Sequence, residues 1–235
     1  MALPRPTRPE YSTTIPSSGK KIKYQPFTVK EEKVLVLASE GKDNDEIANA
    51  VGNCIKNCVS SPSDLNVDEL SLFDIEFLFL KLRAKSVGEK ITVICKDPSD
   101  LSFSKEVDIN VDKIGVKKNK EHSKQIKLDD DMTLVMNYPG LRFFAAGLDL
   151  NDPEGITGMI TECFGQLIVG DEVYNRDDLS AEEIQEWVDG LSSAHFNRIQ
   201  QFFLTMPKLS HTVTLKNTNS GENFSIVLEG LADFF

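Results

Sequence analysis

The stretch from Leu70 to Lys85, LSLFDIEFLFLKLRAK, constrains this chain more than any other. Leu70, Phe73, Ile75, Phe77, Leu78, Phe79, Leu80 and Leu82 leave no wide polar face at helical spacing. A helix of that kind must be covered on most sides, so it predicts a central helix around which the rest is arranged. Asn66, followed three residues later by Glu69, predicts its start as a capping box, and Gly88 marks its end. Asp74 and Glu76 interrupt the apolar surface. Residues two apart on a helix point in different directions, which favours solvation or an ion pair over acid–base chemistry by a matched pair.

Ahead of this helix, Ile47, Val51, Cys54 and Cys58 recur along one face of residues 44–59, predicting a second helix packed by that face. Cys54 and Cys58 fall one turn apart there. A tetrahedral zinc site needs two further ligands, so both read as core thiols. From Val29 to Ala38 the compact run Val34-Leu35-Val36-Leu37 follows Glu31, Glu32 and Lys33. A helix fits best, with a buried strand as the alternative. Residues 1–20 carry Pro4, Pro6, Pro9 and Pro16 among Ser, Thr and Gly, the pattern of an extended arm, with a short strand over Lys21 to Phe27.

Beyond Gly88 the apolar period changes to two. Lys90–Cys95, Leu101–Val111, Gln125–Leu128 and Met132–Met136 read as strands, and the lysine-rich 113–124 with His122 as an exposed hairpin or loop. Helices return after Pro139-Gly140. Asp152 with Pro153 opens one through Ile156, Met159, Ile160, Cys163, Phe164 and Leu167. Ser180 and Glu183 form a capping box for another with Ile184, Trp187 and Val188 inward, and a third, carrying Phe196, Ile199, Phe202 and Phe203, stops at Pro207. His211–Leu215 and Phe224–Leu228 bracket a turn-forming stretch and predict a β-hairpin. The expected fold is α+β: a helical body with a small antiparallel β insertion and a C-terminal β-hairpin. Its parts are an extended basic arm (1–29), a helical part (30–88), the β insertion (89–138), a second helical part (139–209), and the hairpin with an apolar tail (210–235).

Charge narrows the partners. The net charge is -11, yet residues 1–30 hold six basic residues against Glu10 alone, a balance of +5 that leaves -16 on the remainder. So acidic a body disfavours nucleic acid as the principal ligand and makes an acidic protein surface the better partner for the arm. The N-terminus has no apolar segment of a secretory signal, and no run of 18 apolar residues predicts a membrane span. The four cysteines, Cys54, Cys58, Cys95 and Cys163, are expected as thiols in a reducing compartment.

Catalytic signatures are sparse. There is no G-x-S-x-G elbow, no H-E-x-x-H and no phosphate-binding loop. His122, His195 and His211 sit in unlike contexts and share no metal-binding spacing, so each reads as solvated or a local hydrogen-bonder. A Cys163–His195 nucleophile pair has no local signature to support it. Asp129-Asp130-Asp131 lacks the spaced ligands of a calcium loop and reads as a turn. What stands out instead is apolar surface: Phe143-Phe144, and the terminal Phe234-Phe235, which either fold back onto the core or face a partner.

YQPFTVKEEKVLVLASEGKD (24–43), FDIEFLFLKLRAKSVGEKI (73–91), FFLTMPKLSH (202–211) and the closing VLEGLADFF (227–235), in this order and spacing, resemble the T4-like bacteriophage baseplate hub protein family. The resemblance spans about 210 of the 235 residues. It implies a protein of the hub at the centre of the contractile tail baseplate, either a resident subunit or an assembly chaperone. It also implies a zinc-ribbon-like pattern, with Cys-x-x-Cys pairs after the long helix and in the C-terminal hairpin. This chain departs from that pattern: VICKDPSD holds Cys95 alone, and LKNTNSGE holds no cysteine. No metal and no cofactor are therefore expected, and the 89–138 insertion reads as a degenerate zinc ribbon.

The functional expectation is a non-enzymatic late protein of hub and tail assembly. It would bind other baseplate hub or tape-measure proteins in the host cytoplasm and reside in the virion tail if it is a subunit. A homo-oligomer is left open. Its contacts are expected at Lys20, Lys21 and Lys23 of the basic arm, at Pro26, Phe27, Glu31 and Glu32, and at Phe234 with Phe235. The alternative is a cell-wall-active hydrolase of the hub, which would need paired carboxylates in a cleft.

Overall fold

The computed structural model describes residues 6–141, 143 and 153–234. The chain is α+β, with six helices among the described residues and strands in small antiparallel sheets. It forms two compact units, one from residues 1–117 with 208–235 and the other from 118–207.

In the first unit, β1 (Tyr11–Thr14), β2 (Lys21–Tyr24) and β3 (Val59–Ser61) form a three-stranded sheet in that order. Within the expected arm the described residues from Tyr11 onward are not extended chain: β2 falls on the expected Lys21–Phe27 strand, and β1 and β2 make a hairpin with Tyr11 opposite Tyr24 and Thr14 opposite Lys21. Alternation explains this, since Ile15, Ile22 and Tyr24 are buried while Lys21 and Lys23 face out. Helix α1 (Val29–Gly41) packs on α2 (Asn44–Cys58), which buries Val51, Cys54, Ile55 and Cys58 as its spacing predicts. Helix α3 (Leu72–Ser86) is the expected central helix, burying Phe73, Ile75, Phe77, Leu78, Phe79, Leu80, Leu82 and Ala84.

Its start differs from expectation. Asn66 caps a single 3-10 turn, Val67–Glu69, and α3 begins only after Ser71. The Ser71 hydroxyl donates to the carboxylate of Asp74, which is fully buried and also accepts the Ser17 amide at 2.9 Å. Asp74 is thus neither solvated nor ion-paired; it ties the β1–β2 turn to the first turn of α3. Helix α3 also contacts β6 (Val116–Lys117) and β11 (Lys208–Lys216). β11 is central in the sheet β12-β11-β6, with β12 (Asn223–Glu229) as its hairpin partner. A long two-stranded hairpin, β4 (Lys90–Asp97) and β5 (Asp100–Asn110), completes the unit.

The second unit carries a four-stranded antiparallel sheet, β10-β9-β8-β7. β7 (Gln125–Lys127) and β8 (Met132–Met136) fall where expected, joined by the turn at Asp129–Asp131. The proposed 89–138 insertion is therefore split, its first part in one unit and its last part in the other. Helix α4 (Pro153–Cys163) ends earlier than its apolar residues suggest, because Phe164 and Leu167 belong to β9 (Phe164–Val169). Gly165 permits the change: a Cβ there would lie 2.8 Å from the Val135 carbonyl oxygen, so only glycine lets β9 close on β8. Gly170, at φ +58°, turns the chain into β10 (Glu172–Asn175). Helices α5 (Ala181–Asp189) and α6 (Ser193–Thr205) bury Ile184, Val188, Ile199, Phe202 and Phe203 in one core with Leu134, Met136, Ile160 and Phe164. The Ser180–Glu183 capping box is present. Half-buried Phe143 packs against this core, while Phe144 lies outside the described residues.

Candidate protein-binding surface

The residues expected to make contacts fall into three groups in the first unit. Lys20 and Lys21 are exposed at the end of the β1–β2 hairpin, whose turn is closed by hydrogen bonds from the Ile15 amide to the Lys20 carbonyl and from the Gly19 amide to the Ile15 carbonyl, both 2.9 Å. Lys23 points out from β2 but is committed, its Nζ lying 2.8 Å from Glu10 Oε1. That hydrogen bond raises the Lys23 ammonium above its ordinary range and lowers the Glu10 carboxyl. Basic charge is therefore displayed on an ordered turn rather than a loose arm.

The second group is the segment entering α1. The Pro26 carbonyl accepts from Arg8 at 2.9 Å, and the Phe27 amide donates to Ser86 Oγ on α3 at 2.9 Å. Thr28 and Glu31 form a capping box, and the Thr28 hydroxyl holds the Glu31 carboxyl below its usual range. Glu31 is thus occupied in capping, while Glu32 stays exposed. Beyond them α1 shows an unexpected display. Its inner side consists of Glu31, Leu35 and buried Ala38, yet Val29, Val36 and Leu37 stand 65%, 51% and 66% exposed. The sequence signal was the Val34–Leu37 run, which is apolar on more sides than one partner helix covers.

The third group does not form. Phe234 is 1% exposed, its amide donating to the Leu231 carbonyl, so it folds back onto the unit's core and is removed from the contact surface. Phe235 lies outside the described residues.

Sequence reasoning named the turn residues of the β4–β5 and β11–β12 hairpins without pairing them. Asn217, fully buried, donates from Nδ2 to Asp97 Oδ2 at 2.7 Å and to Asp100 Oδ2 at 3.2 Å. Asn219 adds a 3.2 Å bond to the same Asp100 oxygen. Together with Ser102 these amides pull the Asp100 carboxyl down to about 2. The two hairpin tips, 117 residues apart in sequence from Asp100 to Asn217, are stitched by side-chain hydrogen bonds. The residues here do not fit a zinc site: oxygen and amide groups bonded to one another stand at the tips, and Cys95 supplies a single buried thiol.

Among the described residues of the second unit, no base pairs with Cys163. That thiol is buried in the core and pushed up to about 12 by burial, while His195 Nε2 faces Asp129 Oδ2 at 3.1 Å. His122 is the local hydrogen-bonder of its two expected readings, not a solvated side chain. It bridges Thr205 Oγ1 at 3.0 Å and Tyr138 Oη at 3.1 Å, stacked on Tyr138, and burial lowers its pKa. An apolar groove of about 310 Å³ is lined by Phe164, Leu167, Tyr174, Glu183, Ile184 and Trp187. Among the described residues, no three His, Cys, Asp or Glu side chains group as metal ligands would, and no helix is long and apolar enough to cross a membrane.

The chain is α+β, with an ordered basic hairpin and an outward apolar face on α1. Its class follows from the whole chain: residues 8–235 match the family of T4 bacteriophage base plate proteins. The chain belongs to that family and is a phage baseplate protein. Comparison with curated proteins and with solved structures finds no match.

Proposed function

We propose that this baseplate protein acts in assembly of the baseplate hub by binding other phage proteins, without catalytic turnover, in the host cytoplasm before or during incorporation into the tail. The observation that carries the reading is the β1–β2 hairpin. On a chain whose residues beyond 30 carry -16, it holds Lys20 and Lys21 exposed on a closed turn. Fixing the turn in advance lowers the ordering cost of binding an acidic surface. The burial of the Cys163 thiol and the hydrogen bonding of both His122 ring nitrogens, to Thr205 and Tyr138, also support a binding role over a hydrolytic one.

The test is a pull-down of tagged protein from infected cells, followed by mass spectrometry of purified particles. Wild-type chain is expected to retain hub or tape-measure proteins, and the Lys20→Glu/Lys21→Glu variant to lose them at least about tenfold. Fixed copy number in particles marks a subunit, and absence marks a transient chaperone. A cleared zone from the purified protein on a peptidoglycan zymogram, or retention unaffected by the double variant, would overturn the proposal.

A further inference from the structure

We infer that the outward face of α1 is a self-recognition surface that pairs with α1 of a second copy of this chain, antiparallel about a twofold axis. This goes beyond the hub reading and does not rest on it. At about 3.6 residues per turn, positions 29, 33, 36, 37 and 40 share one stripe, opposite the inner face of Glu31, Leu35 and Ala38. Val29, Val36 and Leu37 make it apolar and each is at least half exposed. Only Lys33 and Glu40 carry charge within it, both exposed, and neither enters an ion pair among the described residues.

The placement of those two charges selects the occupant. Lys33 stands three residues before Val36, and Glu40 three residues after Leu37. A twofold axis between Val36 and Leu37 therefore sets Lys33 of each copy opposite Glu40 of the other, with the Val36-Leu37 pairs in contact at the centre. Two opposite-charge pairs then flank one apolar patch, as an isologous interface requires. A parallel arrangement in register sets Lys33 against Lys33 and Glu40 against Glu40, which is repulsive. Within one helix the two residues are seven apart, too far to satisfy each other as an i,i+4 pair.

The face is small. One side of a 13-residue helix falls short of the roughly 800 Å² per partner of a standard interface, so α1 alone predicts a weak dimer with a Kd on the order of 10 µM. Such self-association stays silent at dilute concentration and becomes effective where copies are brought together on a symmetric assembly.

Sedimentation of purified full-length protein across about 1–300 µM tests the inference. Wild type is expected to move from monomer to dimer across that range. Lys33→Glu or Glu40→Lys alone places like charges at both symmetric pairs and should weaken association about tenfold. The exchange variant Lys33→Glu/Glu40→Lys should recover it to within about threefold, with unchanged melting as the folding control. Monomer at every concentration overturns the inference, and so does a dimer that ignores the single reversals or is not rescued by the exchange. Because pull-down of hub proteins depends on Lys20 and Lys21, its outcome is separable from this one.

Discussion

Replacing Asn217 by Ala tests whether side-chain hydrogen bonds close the two hairpins of the first unit. The substitution removes the 2.7 Å bond to Asp97 and leaves that carboxylate, 4% exposed, with the Ser99 amide at 2.8 Å as its other close donor. It also removes the acceptor for the Asn219 amide at 2.8 Å, which shapes the β11–β12 turn. A hydrogen bond to a charged group contributes about 1.5–3 kcal/mol, and depriving a buried carboxylate of a donor sits at the upper end of that range. A loss of about 3 kcal/mol is expected, equivalent to a fall in Tm of about 6–12 °C for a chain of this size.

Urea unfolding gives the free energy, and the slope shows whether the transition keeps its character. Asn217→Asp supplies a control of opposite electrostatics. It puts a third carboxylate beside Asp97 and Asp100, so it should cost more than Ala at neutral pH, with the gap narrowing as pH falls. The Asp100 carboxyl, held at about 2, should rise in Asn217→Ala when followed by carbon-detected NMR titration. A loss below about 1 kcal/mol, with Asp100 still near 2, would refute the claim that Asn217 joins the tips.

Two further predictions concern protons. Glu76 on α3 is pushed up to about 7 by burial, with Glu229 adding to the rise while the Leu231 amide and Lys208 oppose it. The native state thus keeps a proton that the unfolded chain releases near 4.5, so stability falls as pH rises from about 4.5 to about 7; Glu76→Gln should abolish that slope and stabilise the protein at pH 8 by up to about 3 kcal/mol in thermal melts. His122 shifts the other way: burial lowers its pKa, so its contribution is complete above its ordinary 6.5 and is lost as pH falls through its lowered native value, a dependence that His122→Gln should remove from melts taken below pH 6.5.

Periodicity carried most of the fold. The all-round apolar run of α3, the one-sided face of α2 and the capping box at Ser180 are local patterns with local causes, and they place these helices, although α3 begins after Ser71 rather than after Asn66. The failures share a different cause. Nothing near Phe164 announces that helix gives way to strand; the reason is Gly165 against Val135, a neighbour thirty residues away. The 1–29 segment reads as an arm because its prolines and glycine are prominent, whereas the order of its β1–β2 hairpin comes from β3 and from Asp74 on α3. Of the contact residues, Lys20, Lys21 and Glu32 are displayed, Lys23 and Glu31 are engaged locally, and Phe234 is buried. A terminal phenylalanine carries no sequence mark that separates a folded-back ring from an exposed one.

The tips of the β4–β5 and β11–β12 hairpins bring the sequence departure and the structure to one point. A zinc ribbon joins two hairpins by four ligands from two turns, and its strength lies in crossing a long stretch of chain with one clip. Here the turns carry Asp97-Pro98-Ser99-Asp100 and Asn217-Thr218-Asn219, and their side chains face each other across the same two hairpins. Carboxylate oxygens accept and carboxamide nitrogens donate, so each partner needs the other and neither needs a cation. Such a clip keeps the hairpins joined but changes what can undo it. Chelation and thiol oxidation should leave the tips intact, while acid near the low pKa of Asp100 should loosen them. Circular dichroism that is unchanged by EDTA and by diamide, but altered between pH 4 and 2 in wild type and already altered at pH 4 in Asn217→Ala, is the expected pattern. Unfolding by the chelator at neutral pH would show instead that a metal holds these hairpins.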